Sequence, residues 1–339
     1  MEIKAHEQSI LSTVFSPDEK RLVGGSLDEK WLIKLRDITR WIYSNVLDRK
    51  LFVDTIAFSS DGKFAAGSSR DREIEVWDIE KWVCLKSLDR QDWVISLTFS
   101  PDGKWLASGT LNRSLNGPLD GVIQVWDTCE WVCLKSLDQQ DCVNGIAFSP
   151  NGKWLASGTR HTIQIWDTQE WVCVKTLKRD NHIGRLTFSL DGKWLVSGFD
   201  QQTIKVWDVQ DWICLKSLEH QGWVKSIIFS PNGRWLACES DDYRTIKVWD
   251  TEKWICLKTL EYQKSVCRIT FSPDNKQLIC CFDDGTLKIY KLEDEVEAIK
   301  LDVLITLGLA SQGEWTSFLL EGLYDPRLFT FLVRPFLSS

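Results

Sequence analysis

A stretch of about forty residues recurs seven times along the chain, and this period restricts the fold more than any other feature. In five copies its clearest dipeptide is Trp-Asp, as in Trp77-Asp78 and Trp126-Asp127. Aligned there, the copies fall at Arg36, Trp77, Trp126, Trp166, Trp207, Trp249 and Tyr290, spaced 41, 49, 40, 41, 42 and 41 residues apart. A fixed period of this size marks one small unit that cannot bury its apolar faces alone and is stabilised by stacking on its neighbours. By length, 339 residues suggest two ordinary domains, but repeats that close on one another form one large unit.

The third copy shows what the unit is. Residues 92–99 are rich in β-formers, and Ser100-Pro101-Asp102-Gly103 then supplies turn chemistry. Trp105–Gly109, Val122–Trp126 and Trp131–Leu137 read as three further short strands, with Pro and Gly confined to the connections. Four short strands predict a small antiparallel sheet. Apolar residues stand on both faces of these strands, as expected when each sheet is sandwiched between two others. Radial stacking of such sheets, a β-propeller, meets that demand.

The copies FSPDGKWLASG (residues 99–109) and TIKVWDV (203–209) resemble WD-repeat propellers, over roughly residues 1–291. There are departures. Arg36 and Tyr290-Lys291 stand where Trp and Trp-Asp are usual, Leu190 replaces the turn Pro, and the Gly-His before the first strand is missing. The resemblance implies a buried hydrogen-bonded chain of His, Ser, Asp and Trp. Only the sixth copy can supply it, from His220, Ser240, Asp241 or Asp242, and Trp249, which leaves apolar packing for the other blades. A further Trp follows six of the seven core positions by five residues, at Trp41, Trp82, Trp131, Trp171, Trp212 and Trp254, and reads as an anchor for the outer strand. The last copy lacks its fourth strand. Ile3-Lys4-Ala5-His6-Glu7 matches the missing piece as it stands in Leu215–Glu219, so the N-terminal strand is expected to close the ring. A second alignment, shifted by two residues, matches His6 to His220; an even shift keeps the same faces.

Composition excludes several roles. A net charge of −7 disfavours nucleic acid, which needs a clustered cationic excess. Of eleven Cys, five (Cys84, Cys133, Cys173, Cys214 and Cys256) fill one repeated slot, too far apart to bridge, and no CxxC occurs. A reducing, cytoplasmic setting fits free thiols. The opening residues MEIKAHEQ lack an apolar signal core, and no run of 18 apolar residues occurs, so neither secretion nor a membrane role is expected. Four histidines stand outside any HExxH, nucleophile elbow, P-loop or GxGxxG pattern, so no catalytic, metal or cofactor site is expected and the chain reads as a non-enzyme.

Recognition falls to the connections entering the first strand and those between the second and third, which vary between copies on one face. Copies four and five place Arg160, His161, Lys178, Arg179, His182 and Arg185 there; copies six, seven and one place Asp241, Asp242, Asp283, Asp284, Asp28 and Glu29. Either this is a mixed solvated rim, diluted by Asp141, Asp180 and Asp200, or its basic side meets an acidic or phosphorylated peptide. Trp93 and Trp223 open their first strands at this rim, either packed on their own loops or serving as anchors. The third copy alone carries an insertion, residues 111–121, on the same face.

Residues 295–339 break the pattern and take a helical stripe through Val296, Ile299, Val303 and Leu307. Trp315 and Phe318 belong to a second segment, and Leu328, Phe329 and Leu332 line a third that begins at Asp325-Pro326. These apolar faces either pack on the propeller's flank or dock a partner. The sequence therefore predicts an all-β fold: a single seven-bladed propeller of four-stranded antiparallel blades over residues 1–294, followed by a short α-helical extension over 295–339. The expected function is a protein-interaction scaffold. The alternative is a substrate-receptor subunit of a ubiquitin ligase, to which the placement of the tail is similar.

Overall fold

The computed structural model describes the chain from Glu2 to Leu292, apart from residues 5–9, 16–20, 27–30, 38–41, 50–52, 70–72, 82, 90–91, 112–120, 179–182, 200–202, 221, 241–243 and 285. Residues before Thr55 are described by their backbone alone. The expected helical extension, with Trp315, Phe318, Leu328, Phe329 and Leu332, lies outside the described residues, and so does most of the insertion in the third copy.

The fold is an all-β propeller. Among the described residues the strands form seven four-stranded antiparallel sheets. The sheets, here called blades, are numbered along the chain. Their inner strands are Ile10–Phe15, Val53–Phe58, Trp93–Phe99, Gly145–Phe148, Ile183–Phe188, Val224–Phe229 and Val266–Phe271. Each packs beside the next, and that of blade seven returns to that of blade one. Within a blade the chain runs from inner to outer strand. Blade three uses Trp93–Phe99, Trp105–Leu111, Gly121–Asp127 and Cys133–Gln139.

Two kinds of turn repeat. In the first, the Ser100 hydroxyl donates to Asp102 Oδ1 at 2.6 Å and accepts from Trp105 N at 2.9 Å, while Gly103 takes φ +73°. The same bonds form at Ser59, Ser149, Ser189, Ser230 and Ser272. At Leu190 the turn forms without its Pro, because the bonds come from Ser189 and Asp191. In the second, the Asp of Trp-Asp caps the hairpin to the outer strand: Asp127 Oδ1 accepts from Cys129 N at 2.8 Å and Glu130 N at 3.0 Å.

The repeated extra Trp sits in this second turn, not on the outer strand. Trp131, Trp171, Trp212 and Trp254 all take left-handed backbone, with φ of 56–57°. Such a φ is strained for a bulky residue, and it delays the outer strand to Cys133, Cys173, Cys214 and Ile255. The indole then reaches back to the preceding blade. Trp171 meets Trp105 edge to face at 6.1 Å, Trp212 meets Trp154 at 6.0 Å, Trp254 meets Trp194 at 6.4 Å, and Trp131 meets Phe64 at 5.4 Å.

The apolar interior is a series of layers between blades. One layer joins Ala66, Ile74 and Val76 of blade two to Val94, Leu97 and Leu106 of blade three, and equivalent layers follow up to blade six. The Gly that ends Trp-Leu-Ala-Ser-Gly exists for this approach: a Cβ on Gly158 would lie 2.7 Å from Ile183 Cγ2 of the next blade. The outer strands, by contrast, expose apolar residues such as Leu134, Val174 and Leu215.

Glu2–Lys4 pairs antiparallel with Thr286–Lys291 and completes the last blade. The register differs from both sequence alignments. Ile3 stands opposite Leu287, as Leu218 stands opposite Ile204 in blade five. The strand therefore takes the register in which Ile3 occupies the repeated Leu position, an odd number of residues from either alignment, which exchanges the faces. Deleting residues 1–4 removes this strand and is expected to lower the melting temperature by several degrees in a calorimetric scan; an unchanged melt would rule out a stabilising closure.

Candidate partner-binding surface

The connections entering the inner strands and those between second and third strands share one face. On it Arg160 Nε lies 3.7 Å from Asp141 Oδ1, so this cation is partly neutralised within its own rim. His161 and Lys178 are exposed. Arg179, His182, Asp241, Asp242, Asp28 and Glu29 lie outside the described residues. On the acidic side Asp283 is exposed, whereas Asp284 accepts from Lys264 Nζ at 2.7 Å and from the Thr286 hydroxyl at 2.6 Å. Desolvation raises the Asp284 pKa, but these donors outweigh it and hold the carboxyl at about 2.

The two tryptophans separate. Trp93 is half-buried, while Trp223 is 54% exposed. A Cβ on Gly184 would lie 3.1 Å from Trp223 Nε1, so the indole edge rests on the bare backbone of blade five while most of the ring stays open. Arg185 is not a rim residue. It belongs to the inner strand Ile183–Phe188, and its Nε and Nη1 donate to Lys225 O at 3.2 Å on the inner strand of blade six and to Asn144 O at 3.3 Å just before the inner strand of blade four.

In blade six the expected link from Ser240 to Trp249 is not made, and the Asp241 or Asp242 member of that polar chain lies outside the described residues. His220 and Ser240 are buried, yet both ring nitrogens of His220, Ser240 Oγ and Trp249 Nε1 lack hydrogen-bond partners among the described residues. Three other blades, expected to rely on apolar packing, do bond their indoles: Trp126 to Ser108 at 3.2 Å, Trp166 to Ser157 at 3.0 Å and Trp207 to Ser197 at 2.9 Å. The reason is register. The acceptor stands two residues beyond the partner of the Trp, Leu106, Leu155 or Leu195. In blade six that partner is Leu236, so the acceptor position is Cys238, not Ser240. In blade two it is Gly67, and Trp77 Nε1 is likewise without an acceptor. Cys238→Ser is expected to satisfy Trp249 Nε1 and raise unfolding free energy by about 1 kcal/mol in denaturant titration; a destabilised variant would refute the register argument.

His220 lies on the connection into blade six. Desolvation, then the charge of Lys247, lowers its pKa from 6.5 to about 4, against a smaller opposing effect of the Glu239 backbone. The folded protein therefore keeps this imidazole neutral where the unfolded chain protonates it. Stability is full above about pH 6.5 and falls as pH drops toward 4. Melts across that window are expected to show a decline that flattens in His220→Leu; equal slopes in both proteins would exclude His220 as its origin.

None of the eleven cysteines is in a disulfide. Among the described residues no cluster of three or more His, Cys, Asp or Glu could hold a metal, and no helix is long and apolar enough to cross a membrane.

With the geometry established, comparison with known families gives one match. The WD domain, G-beta repeat profile matches seven segments: residues 1–33, 47–78, 82–127, 131–167, 171–208, 212–250 and 254–291. The segments cover well over half of the chain, which belongs to the WD-repeat family. Propellers of this family are generally protein-interaction scaffolds and typically non-catalytic. No curated protein matches the chain significantly.

Proposed function

We propose that this propeller is a non-catalytic, cytoplasmic platform that binds an acidic or phosphorylated protein segment on its variable face. The observation that carries the reading is Trp223, an indole more than half exposed on a rim that also exposes His161 and Lys178. Exposed aromatic anchors beside cations suit a peptide with an apolar residue next to an acidic one. Asp141 beside Arg160 keeps the rim from being uniformly basic, which favours a specific segment over general polyanions.

Fluorescence anisotropy against an array of acidic and phosphoserine-bearing peptides tests this. Binders are expected, with Kd rising about tenfold or more in Trp223→Ala and less in Lys178→Gln. An array without binders, or Kd values unmoved by Trp223→Ala, would reject the rim as the site.

A further inference from the structure

Two arginines stand on the inner wall of the propeller at equivalent positions. Each of the strands Ile183–Phe188 and Val266–Phe271 has a bulge, and the next paired residue is Arg185 in one and Arg268 in the other. Such bulges re-aim the side chain that follows. In the other blades the position holds Ser12, Thr55, Ser96, Gly145 and Ser226, all short. The two arginines thus flank the short Ser226 of blade six.

Arg185 is held across the wall by the carbonyls of Lys225 and Asn144, and the Asn144 amide in turn donates to Ile183 O at 3.0 Å. Arg268 differs, for its guanidinium forms no hydrogen bond or ion pair among the described residues. Both side chains keep partial solvent access. They also feel each other. Burial, then the charge of Arg268, lowers the Arg185 pKa to about 10, with Glu239 acting the other way. Glu239 is wholly buried on the second strand of blade six, and its Oε1 accepts from the Tyr262 hydroxyl at 3.0 Å. One fixed carboxylate facing two guanidiniums leaves positive charge uncompensated, and Arg268 has its donor fork to offer. Paired guanidinium forks match the oxygens of phosphate better than a point charge does.

We propose that Arg185 and Arg268 form a site for one compact oxyanion of phosphate type on the inner wall, above Ser226 of blade six. The anion is either free phosphate or the phosphoryl group of a partner's side chain inserted from the variable face. Only the second source rests on the platform reading, and the site itself does not.

The test uses the full chain and inorganic phosphate at constant ionic strength, with chloride as the reference. A saturable rise of about 2–5 °C in melting temperature is expected. Arg268→Gln should abolish it while melting in chloride no lower than the parent, since no hydrogen bond is lost and a repulsion is relieved. Arg160→Gln on the rim should retain the full rise. If Arg268→Gln does not fold, Arg268→Lys replaces it and should raise the half-saturating concentration at least fivefold. No saturable rise in the parent, or the same rise in the Arg268 variant, overturns the proposal. Displacement of phosphate by a phosphoserine peptide in the parent assigns the site to a partner's side chain; displacement by pyrophosphate alone assigns it to the free ion. Peptide binding that needs Trp223 but not Arg268 would leave the rim reading standing while the inner-wall site fails.

Discussion

Everything in this molecule depends on a blade's need for neighbours. A four-stranded sheet with apolar residues on both faces has no stable existence in water, and the layers between blades supply the burial that it lacks. The contact is close because Gly109, Gly158 and Gly198 carry no Cβ where the next blade's Val or Ile approaches. The indoles of Trp131, Trp171, Trp212 and Trp254 bind the same seams from the other end. Left-handed backbone at a bulky residue costs about 1–2 kcal/mol. Burying an indole returns roughly 4–6 kcal/mol at about 25 cal/mol per Å², so the strained turn is retained in successive repeats.

How much of this was legible in the sequence depended on what a side chain reports. The period and the turn residues reported strand number and order, because Ser-Pro-Asp-Gly turns act locally and look the same in each copy. Register was harder. It depends on which residue fills a shared apolar position, and only pairing distinguished the position of Ile3 from those suggested by Leu215 or His220. The same difficulty hid the indole acceptors. Ser240 stands in the second strand of blade six, but Cys238 stands at the place that faces Trp249. The left-handed turn was also invisible, since a Trp after Trp-Asp reads naturally as the first residue of a strand. In the sequence Arg185 reads as a loop cation, and Arg268 carries no signal of its own. Aligning the inner strands on their final Phe would have shown both as long cations in a column of Ser, Thr and Gly.

Blade six departs furthest from its siblings. Where three others have Ser-Gly, it carries Cys238-Glu239, and the buried carboxylate is served by Tyr262 from the connection into the next blade. The same hydroxyl lies 2.8 Å from Ser240 O, its single proton shared between that carbonyl and Glu239, so one phenol ties the second strand of blade six to the entry of blade seven. His220 is neutral nearby, and Arg185 and Arg268 stand to either side. Among the described residues the Trp249 indole and the His220 imidazole of this sector have no hydrogen-bond partner.

The direction in which the indoles point has a kinetic consequence. Each reaches toward lower residue numbers, so a sector emerging from the ribosome finds its docking surface already made and can clamp it at once. Growth is thus vectorial, like a zip drawn from one end. The exception is Glu2–Lys4, which is synthesised first and must wait, unpaired, until Thr286–Lys291 emerges to receive it.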